Sequence, residues 1–222
     1  MKVVIIGASG GLGHRVASRL VAAGHRATAL VRRSEQAKMF SAQGIDAVVG
    51  DVARDTVEAL ADIIQGHDAV VFTAGAGGRD GPEATTAVDG EGPGKVAQAM
   101  KIAGVNRFYL VSVFPEAWRE RRMDDDFEHY MVEKKNAETR IVLTDLNWVI
   151  LRPSALTNEN GVGTVDLGLA KIHREIRRDD VAGTLIALME RPEIRRSILE
   201  VTGGDIPIAN AVDALTRPHG QA

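Results

Sequence analysis

The chain reads as one α/β domain built on a doubly wound parallel sheet, and three observations carry that reading. Short apolar runs rich in Val and Ile alternate with helical stretches as far as Leu151. These runs are too uniformly apolar to keep a solvent face, as expected of a parallel sheet covered on both sides. Gly24, Gly44, Gly66 and Gly104 each fall just after a helical run, where a left-handed residue ends a helix.

Taken in order, strands are expected at Val3–Ile6, Ala27–Val31, Ala47–Gly50, Ala69–Thr73, Arg107–Ser112 and Trp148–Leu151. Amphipathic periodicity places helices between them at Leu12–Ala23, Glu35–Gln43, Thr56–Gln65, Pro82–Ala103 and Phe127–Leu143. Right-handed crossovers then make 3-2-1-4-5-6 the natural strand order. After Leu151 the alternation loosens. Arg152–Asp179 reads as a loop with one or two short strands, Asp180–Glu190 as a helix, Ser197–Thr202 as a strand and Ile208–Leu215 as a closing helix. Arg217–Ala222 has the composition of a frayed tail. There is no internal repeat, so residues 1–222 form a single domain with a small C-terminal elaboration from 152 to 222.

Composition narrows the function. With 222 residues the chain can bury one sizeable core but not two. A hydrophobic share of 45% with 26% charged residues is ordinary for a globular domain, which sets disorder aside. A net charge of −3 offers no basic patch for nucleic acid or an anionic membrane. The absence of cysteine removes disulfides, thiolate catalysis and cysteine-based metal sites, and it fits a reducing cytoplasm. Lys2 leads directly into Val3–Ile6 and Gly7, which leaves no room for a signal sequence. No apolar run approaches the ~20 residues of a membrane span. The six histidines show no metal-binding spacing. Nothing in the sequence specifies an oligomeric state.

The most informative segment is Gly7-Ala8-Ser9-Gly10-Gly11-Leu12-Gly13, between the first strand and the first helix. Gly7 allows a tight turn, Gly10 lets the backbone approach a diphosphate, and Gly13 lets the helix pack closely on the sheet. The helix N-terminus adds free N–H groups and partial positive charge. This context makes the fold a Rossmann domain and the expected ligand a dinucleotide. The second strand ends Arg32-Arg33-Ser34 with no acid to receive the ribose hydroxyls of NAD. A guanidinium there matches the 2′-phosphate of NADP(H), with Ser34 adding a hydrogen bond.

The Gly-x-x-Gly-x-x-Gly spacing resembles that of the extended and atypical short-chain dehydrogenase/reductases. Further segments carry the resemblance: Gly50-Asp51-Val52, Phe72-Thr73-Ala74-Gly75, Val88-Asp89-Gly90, Gly104–Phe108, Leu110-Val111-Ser112, Tyr130–Lys134, Leu151-Arg152-Pro153 and Arg178–Ala182. The chain is similar to the atypical members, in the NAD(P)H-binding group described as NAD-dependent epimerase/dehydratases. The resemblance implies that Asp51 and Val52 pass the adenine, although an Asp after a strand also caps helices. It implies that the Ala74-Gly75 turn runs along the cofactor. It also implies a catalytic set of Ser112, Tyr130 and Lys134, with Asp89 where classical members place an asparagine.

The residues themselves support that set. Tyr130 and Lys134 lie four apart on one helix face, where phenol and ammonium can flank a ribose and a substrate carbonyl. A free phenol titrates near ~10, and a neighbouring cation is expected to bring it closer to neutrality. Ser112 ends the fifth strand, where ligands of such sheets bind. Two departures touch the substrate side: Val113 stands where a second serine is common, and Ser154 where Arg-Pro is usually followed by Gly. The charge run Arg119–Asp126 reads as a solvated loop that caps the next helix. Trp118 and Phe114 are candidates for a pocket wall, and His129 reads as structural. The expected activity is NADP(H)-dependent oxidoreduction of a small carbonyl, alcohol or sugar-like substrate. An epimerase or dehydratase, or a non-catalytic NADP(H) redox sensor, is the alternative.

Overall fold

A computed structural model of the chain describes residues 1–77, 80–117, 119 and 122–216. Trp118, His219, the Arg217–Ala222 tail and part of the Arg119–Asp126 run therefore lie outside the described residues.

The alternation is as expected. It runs β1 (Lys2–Ile6), α1 (Gly11–Ala22), β2 (Arg26–Val31), α2 (Ser34–Ser41), β3 (Asp46–Val49), α3 (Val57–Ile64) and β4 (Ala69–Phe72). After α4 (Gly81–Thr85), a π-helical segment (Thr86–Glu91) and α5 (Gly92–Ala103) come β5 (Arg107–Val111), α6 (Asp125–Val142) and β6 (Asn147–Pro153). The chain ends with β7 (Ala155–Thr157), β8 (Thr164–Gly168), β9 (Glu175–Arg177), α7 (Arg178–Met189), β10 (Ser197–Pro207) and α8 (Ile208–Ala214).

The main sheet has the order β3-β2-β1-β4-β5-β6-β10-β8, so the expected 3-2-1-4-5-6 is present and extended by two strands. Successive side chains of a strand point to opposite faces, and β1 divides accordingly. Val3 and Ile5 pack with Leu12, Val16 and Leu20 of α1 and Val181 and Leu185 of α7. Val4 and Ile6 pack with Leu60 and Ile64 of α3, Val96 and Met100 of α5 and Ile141 of α6. Both faces are covered, which is why these strands carry no polar alternation. Gly24, Gly44, Gly66 and Gly104 end their helical runs at φ between 70° and 78°.

Two differences from the sequence reading matter. The stretch Pro82–Ala103 is not one helix: it is interrupted at Thr86–Glu91, where one turn widens to π geometry. Gly90, Gly92 and Pro93 are weak helix formers there, and the Glu133 carboxylate fills the space beside the Cα of Gly90 that a side chain would need. The loosely patterned 152–179 region holds three short strands rather than one or two. β7 pairs with β9 in a two-stranded parallel sheet, and β8 pairs antiparallel with β10 at the edge of the main sheet. Runs of three residues are too short to show a period. Much of the C-terminal part extends the main sheet and covers α1. The segments around 154–157 and 175–178 form the wall of a cavity.

Candidate active site

The glycine turn follows from close packing. Gly7 has φ +90°, and a Cβ there would lie 2.6 Å from Cα of Ala74, so the turns after β1 and β4 touch. A Cβ on Gly13 would lie 2.7 Å from Oγ1 of Thr73 and 2.8 Å from Cα of Ala8. Gly10, the N-cap of α1, is different: beyond its neighbours in the chain, a Cβ there would meet among the described residues just the carbonyl oxygen of Gly7, at 3.3 Å. The space before the helix N-terminus is open, as a diphosphate requires. Ser9, Gly10 and Gly11 are exposed in that turn, and Leu12 turns into the core. Thr73, which sequence reasoning did not single out, donates from Oγ1 toward the carbonyls of Ile6 and Gly7 at 3.2 and 3.3 Å and braces the turn.

At the end of β2, Arg32, Arg33 and Ser34 are exposed, and neither arginine pairs with a carboxylate among the described residues. Arg33 is the N-cap of α2, its N–H held by Oε1 of Gln36 at 3.2 Å. Asp51 does not cap α3; Thr56 does, accepting from the N–H of Ala59. Asp51 instead folds its own turn, accepting from the N–H of Ala53 at 3.0 Å and donating its own N–H to Oδ2 of Asp55 at 2.7 Å. The Val52 side chain is buried in the core, so only its backbone can face a ligand.

The C-terminal ends of β4 and β5 gather the catalytic candidates. Asp89, at 1% exposure, points from the π segment to the turn after β4. Its Oδ2 accepts from the N–H of Ala76 at 2.9 Å, and its Oδ1 would lie 3.0 Å from a Cβ on Gly75. Lys134, at 4% exposure, donates from Nζ to the carbonyl of Val111 at 3.0 Å and lies 3.7 Å from Oδ1 of Asp89. Its Nζ is 6.0 Å from the centre of the Tyr130 ring. Ser112 Oγ is buried and makes no hydrogen bond among the described residues. A buried hydroxyl left without a partner costs about 1–3 kcal/mol, which a ligand oxygen would relieve.

Electrostatics departs from the sequence expectation at Tyr130. Its phenol is raised above the ordinary tyrosine value, first by burial and then by the negative charge of Asp89. Lys134 does not pull it toward neutrality, because its ammonium is turned to Val111 and Asp89. Burial lowers Lys134 from the ordinary lysine range, against the pull of Asp89 and Glu138. Burial raises Asp89, against the pull of Lys134. Behind these groups, Arg152 makes a two-pronged pair with Glu138 at 2.8 and 2.6 Å and lies 3.7 Å from Glu200, tying α6 to β6 and β10. The spacing of these residues carries no signal in the sequence.

Ser112 and Tyr130 open onto a cavity of about 300 Å³, walled by Phe127, Leu156, Thr157 and Arg178 among others. Thr157 Oγ1 is also buried there and has no hydrogen-bond partner among the described residues. Ser154 is buried, and its Oγ accepts from the N–H of Arg174, so the departure from Gly pins the wall of this cavity. Phe114 is not part of the wall: it is buried against the His173 ring, 5.7 Å between centres. His129 links α6 to the preceding helices through Oγ1 of Thr86 at 2.9 Å and the carbonyl of Pro82. In the charge run, Asp124 caps α6 by accepting from the N–H of Phe127 at 2.8 Å. A larger groove of about 860 Å³ lies between α5 and α6 at the other end of the strands, beside Asn106 and Leu146, and holds none of the candidates. In sheets of this kind ligands bind at the carboxyl ends, so the smaller cavity is the relevant one. Among the described residues no group of three or more His, Asp or Glu is placed to hold a metal, and no helix is long and apolar enough to cross a membrane.

Comparison with known proteins bears on this geometry. Residues 7–192 match the model of the NAD(P)H-binding family. The chain is 36% identical over 216 residues to the uncharacterized sugar epimerase YhfK of Bacillus subtilis, spanning 97% of this chain and 100% of that one. Among solved structures, it is similar to a protein of Bacillus halodurans described as an NAD-dependent epimerase/dehydratase, with TM-score 0.87, 31% identity and coverage of 96% and 99%. It is also similar to the oxidoreductase ylbE of Lactococcus lactis, with TM-score 0.86, 27% identity and full coverage of both chains.

Proposed function

The chain belongs to the NAD(P)H-binding family, and on that premise we propose that it is an NADP(H)-dependent oxidoreductase acting on a small carbonyl, alcohol or sugar-like substrate. One observation carries the reading. The unpartnered Ser112 hydroxyl and the Tyr130 phenol share a cavity at the carboxyl ends of the strands, with the buried Asp89–Lys134 pair behind them. The residues present fit a dinucleotide. The α1 N-terminus is open at Gly10, and the β4 turn at Ala74-Gly75 lies against the glycine turn.

When bound, the nicotinamide supplies or accepts a hydride at carbon. The chain's own residues manage the oxygen. Ser112 donates to the substrate oxygen and holds it. Tyr130, kept protonated by burial, delivers its proton to that oxygen as the carbonyl becomes an alcohol. Lys134 anchors the nicotinamide ribose, and Asp89 keeps the ammonium charged in a dry setting. The 2′-phosphate of NADP(H) is read by Arg32, with Arg33 and Ser34 beside it at the start of α2.

The kinship to a protein named a sugar epimerase favours one second reading. There the same residues serve a hydride that leaves and returns to one substrate within a single cycle. The test is NADPH oxidation followed by absorbance against quinones, aldehydes, ketones and nucleotide sugars. Turnover with any member supports a reductase. Silence across the panel while NADPH binds overturns the reductase and leaves the epimerase or a redox sensor.

A further inference from the structure

The segment Arg178-Asp179-Asp180 begins α7, and each of its three side chains has a different task. Asp179 makes a two-pronged pair with Arg19 of α1, with Nε 2.8 Å from Oδ1, and so docks α7 on α1. Asp180 is buried and accepts from the N–H groups of Val162 and Gly163 at 3.2 and 2.8 Å, which fixes the loop before β8. Both are accounted for by the fold. Arg178 is not.

The Arg178 side chain lies across Gly11, the first residue of α1. A Cβ on Gly11 would be 3.3 Å from Cδ and 3.5 Å from Nε of Arg178, and 3.8 Å from Nη1 of Arg15. From there Arg178 reaches the cavity wall, donating from Nη1 to the carbonyl of Leu156 at 3.2 Å and to Oδ1 of Asn158 at 2.9 Å. Neither Arg178 nor Arg15 has a carboxylate within ion-pair distance among the described residues; Arg15 is turned to the carbonyl of Gly11 at 2.6 Å. Two guanidinium groups therefore share one glycine with no carboxylate in ion-pair contact among the described residues; the nearest acid that feels Arg15, Asp179, is already held by Arg19. Burial and the charge of Arg15 both disfavour the Arg178 cation. Of the nitrogen atoms of the Arg178 guanidinium, only Nη1 donates a hydrogen bond among the described residues. Glu175 also faces the cavity but is exposed, where solvent screens its charge.

We propose that Arg178 closes over the dinucleotide diphosphate at the α1 N-terminus and, through Leu156 and Asn158, couples cofactor binding to the order of the substrate-side wall. The proposal rests on the dinucleotide occupying the glycine turn. It adds a phosphate contact from the opposite side of the groove, 167 residues along the chain (178 − 11). An arginine suits the task because its planar fork can serve a phosphate and a carbonyl together.

The test is calorimetric binding of two probes to wild type, Arg178→Gln and Arg178→Lys. NADPH carries the diphosphate, and adenosine 2′-monophosphate lacks it while keeping the adenine and 2′-phosphate. Arg178→Gln should weaken NADPH about 10- to 100-fold, the scale of a charged hydrogen bond, and leave adenosine 2′-monophosphate within about twofold. Arg178→Lys should recover part of the loss. NADPH should slow amide exchange at residues 155–159 in the wild type and not in Arg178→Gln. Unchanged NADPH affinity in Arg178→Gln overturns the proposal, including the case where only a substrate KM rises. Equal loss for both probes also overturns it, because the damage would then lie in the turn. A wild type that binds no NADPH overturns the cofactor reading itself, and this inference with it.

Discussion

Nζ of Lys134 lies 3.7 Å from Oδ1 of Asp89, and both side chains are almost fully withdrawn from solvent. A buried ion pair is held against its own desolvation, so removing one partner is costly. Burial moves Asp89 up and Lys134 down, toward their neutral forms, while each opposes the shift of the other.

Asp89→Ala should therefore destabilise the fold by about 3–5 kcal/mol in urea unfolding. Asp89→Asn should do less harm but change the pH dependence. Without the anion, the Lys134 value falls further below the ordinary 10.5. Between that lowered value and 10.5 the unfolded chain holds a proton that the folded chain has released. Stability then rises with pH across that window. The rise should begin at lower pH in Asp89→Asn than in wild type; identical pH profiles would remove the ion pair from the account.

Tyr130 is raised above its ordinary value, so as a proton donor it should stay loaded throughout the neutral range. In the carbonyl-reducing direction kcat/KM should show no falling limb from this group below about pH 10. A falling limb near neutrality that disappears in Tyr130→Phe would show that the phenol ionises more easily than its surroundings here dictate.

Gly10 and Gly13 should fail in opposite ways. A Cβ on Gly13 meets Thr73 Oγ1 and Cα of Ala8 at 2.7 and 2.8 Å, with backbone on one side that cannot retreat. Gly13→Ala should cost about 1–3 kcal/mol or more in urea unfolding. At Gly10, beyond its neighbours in the chain, a Cβ would meet among the described residues just the Gly7 carbonyl oxygen, at 3.3 Å, a contact that a shift of a few tenths of an ångström relieves. Gly10→Ala should keep near wild-type stability and lose most of its NADPH affinity. Equal NADPH affinity would move the diphosphate away from this turn.

Arg32→Asp should invert cofactor preference by weakening NADPH and improving NADH, because an acid at the strand end accepts from the ribose hydroxyls. The change expected in the affinity ratio is at least about tenfold. An unchanged ratio would take the 2′-phosphate away from Arg32.

The parts of this fold legible in the sequence are those with a local cause. Val3–Ile6 followed by Gly7 shows the first strand and its turn, and the helix-ending glycines show where each helix stops. The doubly apolar strands show that both sheet faces are covered. What stayed hidden depends on contacts distant along the chain. The π turn that aims Asp89 into the site has Glu133 lying against Gly90, a pairing no periodicity reveals. The Thr73 brace, the Arg152–Glu138 pair and the position of Arg178 over Gly11 are of the same kind. Tyr130 and Lys134 were legible as a pair four apart on a helix. Their electrostatics was not, because it depends on which groups face the ammonium.

The most direct test of the central claim is turnover and NADPH affinity measured side by side in wild type and Tyr130→Phe, using whichever carbonyl substrate the panel yields. The account predicts that the mutant loses turnover and binds NADPH as the wild type does, since the phenol handles the substrate oxygen and the glycine turn holds the dinucleotide. Equal turnover in the two proteins would contradict it.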